Sequence, residues 1–201
     1  KNTLERKCVM DIQQSGILDV KNKKVLMICA VDRFGMAEAF EELGARLTLG
    51  DLIYTIGIPL PLHSLKALKY VGRTIAPFVV RMPFEKLYPT GDKQNVIIPR
   101  HAKYYYDAEI IAGDFHFIRR YLPEKLDGQV IITNTTTQDD LKLLKERGIK
   151  QVITTTPNMG GRSFGTNVIE ALMVALLNRP LDQIKSTDYY AILNELDLKP
   201  G

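Results

Sequence analysis

The chain has 201 residues, 45% of them hydrophobic, which suits the core of one α/β domain. Its 27 basic and 23 acidic residues leave a net charge of +4, spread without the dense Lys/Arg blocks of a nucleic-acid surface. Nucleic acid is therefore excluded as a partner, and a mild preference for anionic ligands is what the charge supports. No apolar run approaches the roughly 18 residues that cross a bilayer, and KNTLERK lacks the apolar core of a signal peptide, so no membrane partner is expected and the default location is cytoplasmic.

In chain order, Leu4, Cys8 and Ile12 recur at helical spacing in an amphipathic helix over 1–16, with Asn2 as N-cap, Glu5 at the capping-box position and Gly16 as the stop. The wholly apolar run from Val25 to Ala30 reads as a strand covered on both faces. A helix follows with Met36, Phe40 and Leu43 on one side and Glu38, Glu41 and Glu42 on another, ending at Gly44 before the strand ARLTLGD. GIPLPLH is a proline-broken loop, a helix starts near Ser64, and LYPTGDKQ is a turn-rich connection.

Alternation then resumes. DAEIIAGD, GQVIITN and KQVITTT read as strands, FHFIRRYL and TQDDLKLLKERG as helices, the second capped by Thr137 with Asp140. SFGTNVIEALMVALLN is a strongly apolar helix expected against the sheet, and STDYYAILNELDL closes the chain. Strands alternating with helices predict a doubly wound, mostly parallel, Rossmann-like three-layer sandwich. It forms a single domain over 1–201: an N-terminal helix (1–16), an α/β core (24–179) and a C-terminal helical tail (180–201).

In a dinucleotide fold the first turn reads GxGxxG, with an acidic residue about 20 positions on for the ribose hydroxyls. Here the glycine positions fall on Ala30, Asp32 and Gly35, and the acid on Asp51, 21 residues after Ala30. A carboxylate at the second glycine adds bulk and negative charge where backbone should approach the pyrophosphate. Asp32 can instead cap its own helix, while Arg33 restores a phosphate contact. Ligands of open α/β sheets collect beyond the carboxyl ends of the strands. There, Asn134 and Thr135 of NTTT can border a nicotinamide ring or a polyhydroxylated substrate.

Two further strand ends are polar. Gly160, Gly161, Arg162, Ser163 and Thr166, leading into a long helix, can hold a phosphate or carboxylate through free N–H groups, hydroxyls and a guanidinium. Asp114 and His116 offer a carboxylate beside an imidazole, a candidate acid/base pair for catalysis. Against these stand plain structural roles, a capped connection for the first and a half-buried histidine for the second. His63 and His101 complete no metal-ligand spacing, and Cys8 and Cys29 form no CxxC, so no metal is predicted and both thiols are expected reduced. Lys66, Lys69 and Arg73 share a solvated helix face, and KYYYD at 103–107 reads as core or interface. No GxSxG, GxxxxGK[ST] or HExxH occurs, which argues against serine hydrolase, P-loop and zincin chemistry.

The phrases KNTLER, AVDRFGMAEAF, GDLIY, LYPTGDKQ, AGDFHFIRRYLP, ITNTTT and GRSFGTNV resemble bacterial quinate/shikimate 5-dehydrogenase-like proteins, from Lys1 to about Arg179. The resemblance implies a Rossmann fold, NAD(P)-linked oxidation of a cyclic hydroxy acid, and a further region ahead of KNTLER, making this the C-terminal part of a longer protein. Characterised shikimate and quinate dehydrogenases carry a catalytic Lys and Asp in an N-terminal substrate domain. They also have a fuller glycine turn, and an Asn-Arg-Ser/Thr-like cofactor loop where this sequence reads GDLIY, so no catalytic residue is carried over. If a cofactor binds, Asp51 favours NAD over NADP, because a carboxylate repels a 2′-phosphate. The alternatives are a non-catalytic module for an anionic metabolite and an assembly domain, a homodimer built through the N-terminal helix and the tyrosines.

Overall fold

The five apolar runs read from the sequence form one sheet. In the computed structural model, which describes residues 2–81, 96–157, 162–196 and 201, they are β1 (Lys24–Met27), β2 (Arg46–Leu49), β3 (Ile110–Ala112), β4 (Val130–Thr133) and β5 (Gln151–Thr154). All pairs are parallel, in the order β2-β1-β3-β4-β5, with Val25 between Leu47 and Ile110 and Ile131 between Ile111 and Val152. The expected turn-rich connection LYPTGDKQ lies outside the described residues.

Alternation along each strand sorts the core into two layers. Val25, Met27, Leu47 and Leu49 face α1 (Asn2–Gln14), α2 (Phe34–Glu42) and α3 (Leu65–Val79). Leu26, Ile28, Ile111 and Ile131 face α4 (Lys103–Asp107), α5 (Phe115–Tyr121) and α6 (Gln138–Glu146). The protein is a doubly wound, Rossmann-like α/β sandwich whose connections change face between β1 and β3. That change makes a crevice at the carboxyl ends of those two strands, the place where such sheets hold ligands.

Local chemistry sets most element ends. Gly44, at φ +78, turns the chain from α2 into β2. Ser64 Oγ accepts from Ala67 N–H at 3.2 Å to start α3, and Thr137 with Asp140 forms the expected capping box of α6. Tyr105 of KYYYD is buried, its hydroxyl donating to the Ile118 carbonyl at 3.0 Å, whereas Tyr106 is exposed. Lys66, Lys69 and Arg73 are exposed, with Lys69 Nζ 4.8 Å from the centre of the Phe34 ring.

Three expectations need correction. Asn2 lies inside α1 rather than capping it, and Glu5 is buried, its Oε1 accepting from Arg33. A π-helical turn over Asp51–Ile56 follows β2 where no helix was expected. The apolar helix α7 (Thr166–Leu177) does not lie on the sheet: Ile169 and Met173 pack with Leu4 of α1 and Leu193 of α8 (Ser186–Glu195).

Candidate functional site

The β1/β3 crevice contains a buried polar cluster. Arg33, at the N-cap position of α2, is 3% exposed. Its Nη2 donates to Asp114 Oδ2 at 2.6 Å, and its Nη1 to Glu5 Oε1 and to Thr166 Oγ1, the latter at 3.1 Å. Asp32, partly exposed, lies one residue before the cap position with Oδ2 3.4 Å from Arg33 Nε. Burial works against charge on Arg33, yet Glu5 and Asp114 hold its pKa above the usual value. Burial would raise Asp114, but the adjacent guanidinium keeps it below the ordinary carboxylate value.

Asp114 is also the N-cap of α5, accepting from the His116 backbone N–H at 3.0 Å. Its Oδ2 accepts from Arg33 Nη2 and, at 3.1 Å, from Asn134 Nδ2. Asn134 Oδ1 accepts from Phe115 N–H at 3.0 Å. The expected acid/imidazole pair, two residues apart, is therefore joined through His116's backbone N–H. Gly113, at φ +141, allows the sharp exit from β3 that presents this cap.

The expected anion loop is partly visible. Gly160 and Gly161 lie outside the described residues. Arg162 is exposed, but Ser163 Oγ donates to the Asn134 carbonyl at 3.0 Å and accepts from Thr136 N–H at 2.9 Å. Thr135 is half-buried, and a Cβ added at Gly165 would sit 3.2 Å from its Oγ1. At Gly35 a Cβ would overlap the Asn2 backbone carbonyl, so this glycine admits the start of α1. Ala30 is fully buried, and its carbonyl accepts from Arg33 N–H at 3.1 Å within the turn.

Asp51 belongs to a different place. It opens the π-helical turn beyond β2, is 7% exposed, and its Oδ1 accepts from Val31 N–H at 2.8 Å. Its Oδ2 is buried and has no hydrogen-bond partner. Burial raises the carboxyl above its ordinary pKa, opposed by the N–H groups of Val31 and Ala30. Asp51 lines a partly open cavity of about 190 Å³ together with Cys29, Thr55, Leu68, Val71 and Ile75. An apolar cavity of roughly 150 Å³ can hold benzene, so this one has room for a flat ring system. Burial, then Asp51, pushes the Cys29 thiol up to about 12, so it lines the wall as an inert thiol rather than a nucleophile.

A family model described as a domain of unknown function, DUF8754, matches residues 1–201. The chain belongs to the DUF8754 family. No curated protein and no solved structure matches it. In this DUF8754 chain the fold thus brings Arg33, Asp114, Asn134 and Thr166 into one network and leaves Asp51 beside a cavity. Among the described residues no group of three or more His, Cys, Asp or Glu is placed to hold a metal, and no helix is long and apolar enough to cross a membrane.

Sequence reading missed Glu5 and the α3 wall of the cavity. Glu5 had a signal, since Glu5, Val9 and Ile12 share one helix stripe at i, i+4, i+7, and a carboxylate there must find a buried cation. The cavity had none, because Leu68, Val71 and Ile75 read as an ordinary apolar helix face.

Proposed function

We propose that this chain is the nucleotide-cofactor domain of an NAD-linked oxidoreductase acting on a hydroxy acid. The adenosine half of the cofactor would be held at the end of β2. The observation that carries the reading is Asp51: a buried carboxylate with one oxygen tied to the β1–α2 turn and the other without a partner, on the wall of an apolar cavity. A ribose hydroxyl is the donor that the second oxygen lacks, and the base would enter the cavity. A carboxylate there selects NAD over NADP. The reaction class is hydride transfer from a secondary alcohol to the nicotinamide, with His116 at the substrate side as the candidate proton acceptor and further groups supplied from outside this chain. Such a domain would work in the cytoplasm.

A second reading is favoured by the crevice: a non-catalytic module that binds a ligand without a pyrophosphate. Arg33 is engaged by Glu5 and Asp114, and Gly35 is covered by Asn2, so the usual diphosphate contacts are taken by the chain itself.

Calorimetric titration with NAD, NADP and adenosine separately, on the native chain and on Asp51→Asn, decides between them. The first reading expects saturable NAD binding that weakens by roughly tenfold or more in the variant, as for a lost bond to a charged acceptor. Adenosine binding without NAD binding selects the second, and binding of none of the three removes the site. Below the raised pKa of Asp51 its carboxyl is protonated and ceases to be a full acceptor. Affinity should accordingly fall as pH is lowered.

A further inference from the structure

Helix α7 is apolar on two sides but buries one. Ile169 and Met173 are covered by α1 and α8. On another face Phe164 (40%), Val168 (54%), Leu172 (47%) and Leu176 (53%) remain exposed, with Ala171 and Ala175 exposed among them. Steps of three and four residues place Val168, Leu172, Leu176 and the two alanines on one stripe, about 12 Å long at the rise of an α-helix, with Phe164 just ahead of it across the extended N-cap Gly165. Glu170, the single charged residue of the helix, is two positions from both Val168 and Leu172 and so falls off that stripe. A helix that is apolar well beyond one stripe is normally covered on both sides.

We propose that this face joins two copies of the chain, α7 packing antiparallel against α7 of the second copy across a two-fold axis. The stripe is self-complementary: Ala171 and Ala175 leave a shallow notch, and Leu172 and Leu176 stand beside it. A two-fold axis near the middle of the helix presents the leucines of each copy to the notch of the other, the isologous arrangement that closes as a dimer. Four large side chains about half exposed, with two alanines, offer on the order of 500 Å² per copy, hence about 1,000 Å² for the pair, the lower edge of a specific interface. That area matches a dimer in exchange with its monomer. This association is independent of what binds at Asp51. It also uses a different surface from the N-terminal helix, whose Leu4, Cys8 and Ile12 are buried within one chain, and from the tyrosines of α4.

Sedimentation equilibrium of the 201-residue chain from about 1 µM to about 500 µM tests it. The average mass should rise from 22.7 kDa toward twice that value. Leu172→Glu with Leu176→Glu should stay monomeric throughout, with unchanged circular dichroism and, at the dilute end of the series where the native chain is monomeric too, an unchanged melting temperature, because both positions are exposed. Leu60→Glu, at a position 55% exposed in the loop 57–63, should dimerise like the native chain. A native chain that stays monomeric across the series, or a dimer that survives the double substitution, overturns the proposal.

Discussion

The β1/β3 crevice and the Asp51 cavity both lie beyond carboxyl ends of strands, yet they differ in what completes them. In the crevice the chain supplies its own ligand-like groups: Glu5 from α1 meets Arg33, and Asn2 lies on Gly35. At the end of β2 an equally buried carboxylate keeps an oxygen without a donor beside open volume. Position in an α/β fold thus nominates both places, but charge pairing and open volume separate them: Glu5 and Asp114 meet the Arg33 guanidinium, whereas Asp51 stands on the wall of a cavity. A charge-paired cluster closed by its own chain reads as architecture, and a carboxylate beside open volume as a site.

Breaking the crevice should have the largest effect. Arg33→Leu leaves Glu5 and Asp114 buried with their cation gone, so urea unfolding should show a loss of about 3–5 kcal/mol, the range for removing one partner of a buried pair. A loss below about 1 kcal/mol would mean that Arg33 is available to a ligand and that the two regions are alike.

Filling the cavity should act in the opposite way. Gly72 lines it, sits inside α3, and a Cβ there meets nothing within 4 Å. Gly72→Leu is therefore expected to raise stability by up to about 1 kcal/mol, from helix propensity. The same change should weaken nucleotide binding by roughly tenfold or more, equivalent to about 1.4 kcal/mol. Paired melting and calorimetric measurements check both halves, and unchanged affinity would place the ligand elsewhere.

The smallest effect is on the acid limb of stability. Asp114 titrates below its ordinary 3.8, against the desolvation that would raise it, because Arg33 favours the ionised form. The stability it contributes is complete above the unfolded value and is lost as pH falls through the lowered one. Unfolding free energy measured from about pH 5 to about pH 2 should decline less steeply in Asp114→Asn than in the native chain. Equal slopes would reject the Arg33 coupling.

Much of the fold was legible because it rests on local rules. Runs such as Val25 to Ala30 and VIIT are strands by their unbroken apolarity, and Thr137 with Asp140 marks the start of α6 by hydrogen-bond chemistry that three residues settle alone. The π-helical turn at Asp51–Ile56 was not legible, since DLIYTI carries no breaker and its pattern suits several local structures. Asp51 could be singled out by its spacing from Ala30, but not its inward turn onto Val31, which depends on two strands standing side by side.

The sequence by itself determined the order of strands and helices, most of their ends, and which polar residues lie beyond strand ends, because period and capping act over a few residues. Only the tertiary structure decided which of those residues are occupied. Whether Arg33 faces a ligand or Glu5 depends on a helix 28 residues away in the chain, and the Asp51 cavity exists only where α3 stands off from β1 and β2. Desolvation makes that choice, since a buried charge must be met by whichever opposite group the fold brings to it.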